Sequence, residues 1–94
     1  MVDPNSRREV SAEDLRAAYR NSAYPQRIAD GELSRTIIYE RLLPGGGSSR
    51  IIAYTEPGEA IKRVVVHQRI RSDGSVTEPD PKLLFLGECV YWTR

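Results

Sequence analysis

In residues 61–71, with the sequence IKRVVVHQRIR, apolar and polar side chains alternate as expected for a β-strand with one buried and one solvent-exposed face. Side chains of an extended strand point alternately to its two faces. One face would carry a mainly apolar set, namely Val64, Val66, Gln68 and Ile70. The other would carry a mainly cationic set, namely Arg63, Val65, His67, Arg69 and Arg71. We therefore predict a central strand that packs a core on one side and presents a row of cations on the other.

The length of the chain limits it to one hydrophobic core. With 94 residues, we expect a single domain spanning residues 1–94, in which residues 1–9 form a flexible N-terminal arm. The formal net charge of +1 gives no bulk attraction to nucleic acid, so any electrostatic function has to be local. No apolar run approaches the roughly 20 residues that cross a bilayer, and Cys89 has no second cysteine for a disulfide. We expect a cytoplasmic protein without a membrane partner.

One helix is predicted near the N-terminus. Ser11 is a typical N-cap, and Leu15, Ala18 and Tyr19 are spaced to form one apolar stripe. The helix should end before Tyr24, because a residue that precedes proline avoids the helical region. A helix of about three turns is marginal alone, so it has to bury its stripe against a larger element.

The remaining residues predict a sheet. Strands are expected over residues 33–43, 50–55 and 61–71, with a flexible glycine-serine hairpin loop at 44–49 and a turn at Asp73-Gly74 followed by brief pairing of 75–78. The terminal LLFLGECVYWTR is read as two short strands joined by a tight turn at Gly87-Glu88, with a bulge in one long strand as the alternative. The predicted fold class is α+β, with one N-terminal helix packed on a single antiparallel β-sheet of four to five strands.

The face of this sheet that the helix leaves open is the predicted binding surface. By parity it collects Arg35, Tyr39, Arg41, Arg63, His67, Arg69 and Arg71. This assignment depends on strand register, which a one-residue bulge would reverse.

No convergent catalytic set is found, so no catalytic residue, metal site or cofactor is predicted. Cys89 and His67 form a conceivable nucleophile and base, but no motif surrounds the cysteine. The run Gly45-Gly46-Gly47 lacks the lysine and the following helix of a phosphate-binding P-loop.

Two resemblances can be stated. The run His67-Gln68-Arg69-Ile70-Arg71-Ser72-Asp73-Gly74, followed by Pro79-Asp80-Pro81-Lys82, is similar to small bacterial and phage proteins that carry an HQ…R-x-DG…PDPK pattern and have no assigned activity. The likeness implies a bacterial or mobile-element origin. In size and in its helix-plus-sheet plan the chain also resembles the RelE and ParE superfamily of toxins, which implies arginines at a phosphate and His67 or Tyr91 as proton carriers.

Three explanations of the cationic row follow. It can be a solvated face partly paired with Glu40, Glu56 or Glu59, a surface for an acidic protein partner, or a surface for a nucleic-acid backbone with Tyr39 and Tyr54 as stacking platforms. Our leading hypothesis is a non-enzymatic binding module that presents the arginines to an acidic protein or nucleic acid. The alternatives are a small ribonuclease toxin and a structural oligomerising protein in which residues 90–92 pair across a dimer edge.

Overall fold

The computed structural model describes residues 6–94 and is α+β, with two helices on one six-stranded mixed sheet. The elements in chain order are β1 (Arg7–Glu9), α1 (Ala12–Arg20), α2 (Tyr24–Ala29), β2 (Ser34–Leu42), β3 (Ser48–Glu56), β4 (Glu59–Ile70), β5 (Asp80–Leu86) and β6 (Cys89–Trp92). The strand order is β1-β6-β5-β4-β3-β2. The α+β class is confirmed, whereas the expected single helix and four to five antiparallel strands understate the architecture.

The additional strand comes from the segment that was expected to be an arm. Arg7, Arg8 and Glu9 pair in parallel with Val90, Tyr91 and Trp92 of β6, which makes the sheet mixed. Residues 1–5 of that expected arm lie outside the described residues. Since β6 pairs with both β5 and β1, the terminal strand lies inside the sheet and offers no free edge for a dimer.

Helix α1 begins as its sequence predicts. The hydroxyl of Ser11 accepts a hydrogen bond from the backbone N–H of Asp14 at 3.0 Å. Leu15 is fully buried and Tyr19 is buried beside it, so the predicted stripe is the packing face. The helix ends at Arg20, before Tyr24 as expected.

The second helix, α2, was not predicted, because Pro25 was interpreted only as a helix terminator. In the structure Pro25 lies in the first turn of α2, where its missing N–H would have had no helical partner. The Arg27 guanidinium donates two hydrogen bonds to the Glu56 carboxylate, and the one from Nη2 to Oε1 is 3.1 Å long. The Tyr24 hydroxyl donates to the Phe85 carbonyl at 2.8 Å. These contacts fix α2 to the ends of β3 and β5.

A single core lies between the helices and one face of the sheet. Its buried members are Leu15, Tyr19, Ile52, Val64, Val66 and Leu84. Val64 and Val66 come from β4, which confirms the prediction that this strand packs one apolar face. The helix layer packs on β5, and β2 lies beyond it at the sheet edge with all nine residues exposed.

A β-bulge interrupts β2. Ile37 pairs with Ile52 of β3 and Tyr39 pairs with Ile51, so Ile38 is an inserted residue. Each insertion of one residue reverses the alternation of side chains along a strand. The two halves of β2 therefore alternate out of phase.

The hairpin of β5 and β6 has the tight turn that was preferred from the sequence. Gly87 and Glu88 both have positive φ, 58° and 68°, between the paired residues Leu86 and Cys89. Positive φ at both central positions defines a type I′ turn, which matches the twist of the flanking strands. The predicted brief pairing of 75–78 is present as a bridge between Val76 and Ile70.

The core assignment predicts a contrast between two leucines on strands. Leu84→Ala should lower the free energy of unfolding by about 2–5 kcal/mol, because it empties a fully buried site. Leu42→Ala, the matched control at a position 80% exposed, should change it by less than about 1 kcal/mol. Urea denaturation followed by circular dichroism measures both, and equal losses would contradict this core.

The Arg27 and Glu56 contact predicts a pH dependence of stability. Hydrogen bonding to Arg27 lowers the pKa of Glu56 below its ordinary value of 4.5, so the contact stabilises the fold above that value and is lost as the pH falls through the folded pKa. Glu56→Gln should therefore lower the melting temperature at neutral pH and approach the parent protein in acid.

The matched control is Glu88→Gln, an exposed carboxylate with no ion pair among the described residues. Its melting curve should follow the parent at every pH. A Glu56→Gln deficit that persisted unchanged well below pH 4.5 would contradict the assignment.

Candidate functional site

The sheet face opposite the helices brings together side chains from β2, β3 and β4. Strand pairing defines two rows across this face: Arg41, Ser49 and Arg69 form the first, and Tyr39, Ile51 and His67 form the second. Directly paired residues share a face, so all six side chains project to the same side. We call these six residues the open-face cluster.

Two arginines frame the open-face cluster. Arg41 and Arg69 are both exposed and pair with opposite sides of Ser49. Their backbones lie two strand spacings apart, or about 10 Å, a separation that two long side chains can bridge toward one ligand. Guanidinium groups bind carboxylate and phosphate oxygens with two parallel hydrogen bonds.

A serine and a histidine occupy the space between these arginines. The Ser49 hydroxyl lies 2.6 Å from Nε2 of His67, and both residues are half-buried. Register places Asp80 opposite His67, but the Asp80 carboxylate contacts Lys82 at 3.1 Å and Arg16 at 3.5 Å. Within residues 6–94, no carboxylate contacts the His67 imidazole in the way that the aspartate of a catalytic triad does.

The acids that were expected to neutralise the arginine row are engaged elsewhere. Within residues 6–94, Glu40 pairs with Arg50, Glu56 with Arg27, and Glu59 with Lys62 at 3.0 Å. None of the predicted site arginines forms an ion pair with a described carboxylate; these are Arg35, Arg41, Arg63, Arg69 and Arg71. The explanation of the row as an internally paired surface is thus not supported by the contacts.

Four of the seven predicted site residues lie in the open-face cluster: Tyr39, Arg41, His67 and Arg69. Arg35 pairs with Tyr54 and lies on the opposite face, because the bulge at Ile38 reverses the alternation. Arg63 is on the open face but six residues from Arg69 along β4, or roughly 20 Å, and it donates to the Ile61 carbonyl at 3.0 Å.

Arg71 lies just beyond the cluster in the turn after β4. Its guanidinium donates to the Ser75 hydroxyl at 3.2 Å. Hydrogen bonds from Ser75 lower the pKa of the nearby Asp73 carboxyl, with a smaller contribution from the positive charge of Arg71. Arg71 is therefore partly compensated, whereas Arg41 and Arg69, the two arginines within the open-face cluster, have no carboxylate partner among the described residues.

The glycine loop holds this turn in place. A Cβ at Gly47, whose φ is +83°, would lie 2.4 Å from the Ile70 carbonyl oxygen, so only glycine fits there. The Leu43 N–H donates to the Gly47 carbonyl at 3.1 Å and closes the loop. The loop that was expected to be flexible packs against the end of β4 beside Arg71.

Several other sequence candidates lie away from the open-face cluster. Tyr54 and Tyr91 pack against the core on the helix side, so neither faces His67. Cys89 pairs with Leu86 at one end of β5, whereas His67 pairs with Asp80 at the other. The nucleophile and base pair is thus not assembled, and Tyr54 and Tyr91 lie outside the open-face cluster.

Ser49 was missed because composition placed Ser48 and Ser49 in the glycine loop, and Ile51 was missed because the predicted binding surface drew only on the first and third strands. The pairing register of β3 places Ser49 in the cluster. Strand β3 begins at Ser48, two residues closer to the glycine loop than the predicted strand 50–55. Those two residues carry Ser49 between the arginines.

An apolar depression of about 550 Å³ lies on the other side of the molecule, between the helices and the segment 78–81. Tyr19, Pro25, Ile28 and Pro81 line it. The ion pair of Arg20 and Glu78, at 3.7 Å, lies at its margin. It shares no residue with the open-face cluster.

Comparisons of the chain with protein-family models, with curated proteins and with solved structures found no match. Among residues 6–94, no helix has the length and apolar character needed to cross a bilayer. The same residues contain no group of three or more histidine, cysteine, aspartate or glutamate side chains placed to hold a metal ion.

The contact between Ser49 and His67 gives a spectroscopic prediction. Ser49→Ala should shift the Nε2 resonance of His67, because that nitrogen loses its hydroxyl partner. Ser49→Thr retains a hydroxyl and should stay near the parent value. Nitrogen-15 NMR of the imidazole measures both, and an Nε2 resonance unaffected by Ser49→Ala would contradict the contact.

Proposed function

We propose that this protein is a non-enzymatic binding module whose open-face cluster holds a nucleic-acid backbone, preferably single-stranded. The observation that carries the proposal is the pair of exposed arginines, Arg41 and Arg69, which flank a hydrogen-bonded serine and histidine and have no carboxylate partner among the described residues. Charged groups left unpaired on a sheet are balanced by solvent or by an anionic ligand.

Phosphate fits the chemistry of this cluster. The two guanidinium groups supply paired donors, and the Ser49 hydroxyl and the His67 imidazole supply further polar groups between them. A phosphodiester offers acceptor oxygens but no donor, which matches a site built mainly from donors. Phosphate contacts of this kind position a strand without reading its sequence.

Tyr39 favours a single strand over a duplex. Its side chain is 57% exposed and lies on the same face as Arg41, two positions away. An exposed aromatic ring beside cations is a stacking platform for an unpaired base, and base stacking contributes about 1–3 kcal/mol. In a duplex the bases are already stacked and unavailable to the ring.

The net charge of +1 is compatible with a weak, local contact. Two neutralised phosphates on a single strand correspond to a slope of about −1.4 in a plot of log affinity against log salt concentration. A protein that bound through bulk charge would give a much steeper slope. The salt dependence therefore reports how many arginines take part.

The proposal predicts the effect of removing both arginines. Arg41→Gln/Arg69→Gln should weaken binding of a fluorescent single-stranded RNA at least about tenfold and bring the salt slope close to zero, because both phosphate contacts are lost. Fluorescence anisotropy across a salt series measures both quantities.

The matched control is Arg8→Gln/Arg20→Gln, which removes the same charge from β1 and α1 outside the cluster. It should retain the parent slope. Tyr39→Leu should weaken RNA but leave any acidic protein partner bound, because only the RNA uses stacking. Equal losses of RNA affinity in the two double variants would contradict the proposal. So would a parent protein that has no affinity for RNA but keeps an acidic protein bound after nuclease treatment.

A further inference from the structure

Strand β2 is an unprotected edge of the sheet. It pairs only with β3, so the backbone hydrogen-bonding groups along its outer side have no partner among the described residues. It is nine residues long and contains neither lysine nor proline, the residues that commonly block edge pairing. Three large apolar side chains on it are exposed: Ile37 by 41%, Ile38 by 57% and Leu42 by 80%. Such an edge is a template for another strand.

We propose that two copies of this chain pair antiparallel through β2, about a two-fold axis perpendicular to the sheet, with Arg35 of each copy opposite Glu40 of the other. This places Ser34 opposite Arg41, Thr36 opposite Tyr39, and Ile37 opposite Ile38. The two sheets become one continuous sheet. The inference is independent of the proposed binding of nucleic acid.

The bulge determines which registers are possible. Because Ile38 is inserted, Arg35 and Glu40 lie on the helix-side face, opposite Tyr54 and Arg50 of β3. Opposed residues in an antiparallel pair have to share a face. A shift of one residue would oppose Arg35 to Arg41, which lies on the other face and has the same charge. That register is excluded on both grounds.

Charge then selects among the registers that keep the faces aligned. In the proposed register Arg35 meets Glu40 twice, once on each side of the axis, so β2 is complementary to itself. The next aligned register opposes Arg35 to Leu42 and Glu40 to Ile37, and it leaves both charges without a partner. The bulge weakens pairing at Ile37 and Ile38 themselves, so the flanking pairs carry the contact.

Glu40 is already oriented for this role. Nε of Arg50 donates to one carboxylate oxygen of Glu40, Oε2, and leaves Oε1 able to accept another donor. Glu40 is 39% exposed at its side chain. Arg35 is exposed and has no carboxylate partner among the described residues, so its guanidinium is available for the second copy.

The test is sedimentation velocity of the full chain over about 1 µM to about 1 mM, a range that includes weak dimers. The parent protein should form dimers. Arg35→Glu should weaken dimerisation at least about tenfold, since two cross-strand pairs become repulsive. Arg8→Glu, the same charge change at an exposed position on β1 at the opposite edge of the sheet, should retain the parent association.

Mixing separates this contact from a loss of folding. Arg35→Glu and Glu40→Arg should each be monomeric alone but should form a heterodimer when mixed, because both opposed pairs then become attractive. Circular dichroism checks the fold of each variant, since Glu40→Arg also places a cation beside Arg50. A monomeric parent at every concentration, or an Arg35→Glu variant that dimerises as strongly as the parent, would overturn the proposal.

Discussion

Strand β4 has one apolar and one polar face, and this difference determines where both the core and the cationic residues lie. Val64 and Val66 are completely buried beneath α1, so their neighbours in the strand have to project to the opposite side. Those neighbours include His67 and Arg69. Because Val64 and Val66 are buried against the helices, the cationic residues of β4 have to project from the opposite face. Hydrophobic packing, rather than attraction between charges, therefore determines where the cationic residues lie.

The parts of the fold that were predicted carry local signals. Ser11 as an N-cap, the alternation in β4 and the turn at Gly87-Glu88 each depend on a few adjacent residues. The parts that were missed depend on distant ones. β1 is a three-residue strand without apolar alternation that pairs along the edge of β6. Helix α2 has a proline in its first turn and is held to the sheet by tertiary contacts through Arg27.

The candidate site was predictable to the same extent. Tyr39, Arg41, His67 and Arg69 follow from simple alternation within each strand, and the structure brings them together. Arg35 does not join them, because the bulge at Ile38 reverses the alternation of side chains. The position of the bulge could not be predicted, because Ile37, Ile38 and Tyr39 are all apolar or aromatic. Glu40, Glu56 and Glu59 pair with other cations, so Arg41 and Arg69 have no carboxylate partner in residues 6–94; this pairing is a tertiary property that only the contacts reveal.

Our main proposal is that the open-face cluster binds a nucleic-acid backbone. Its most direct test is a titration of isotopically labelled protein with single-stranded RNA, followed by NMR of the backbone amides and of the arginine Hε protons. We expect shifts confined to β2, β3 and β4, with the largest arginine changes at Arg41 and Arg69. Shifts centred on the depression between the helices and residues 78–81, or no shifts at all, would contradict it.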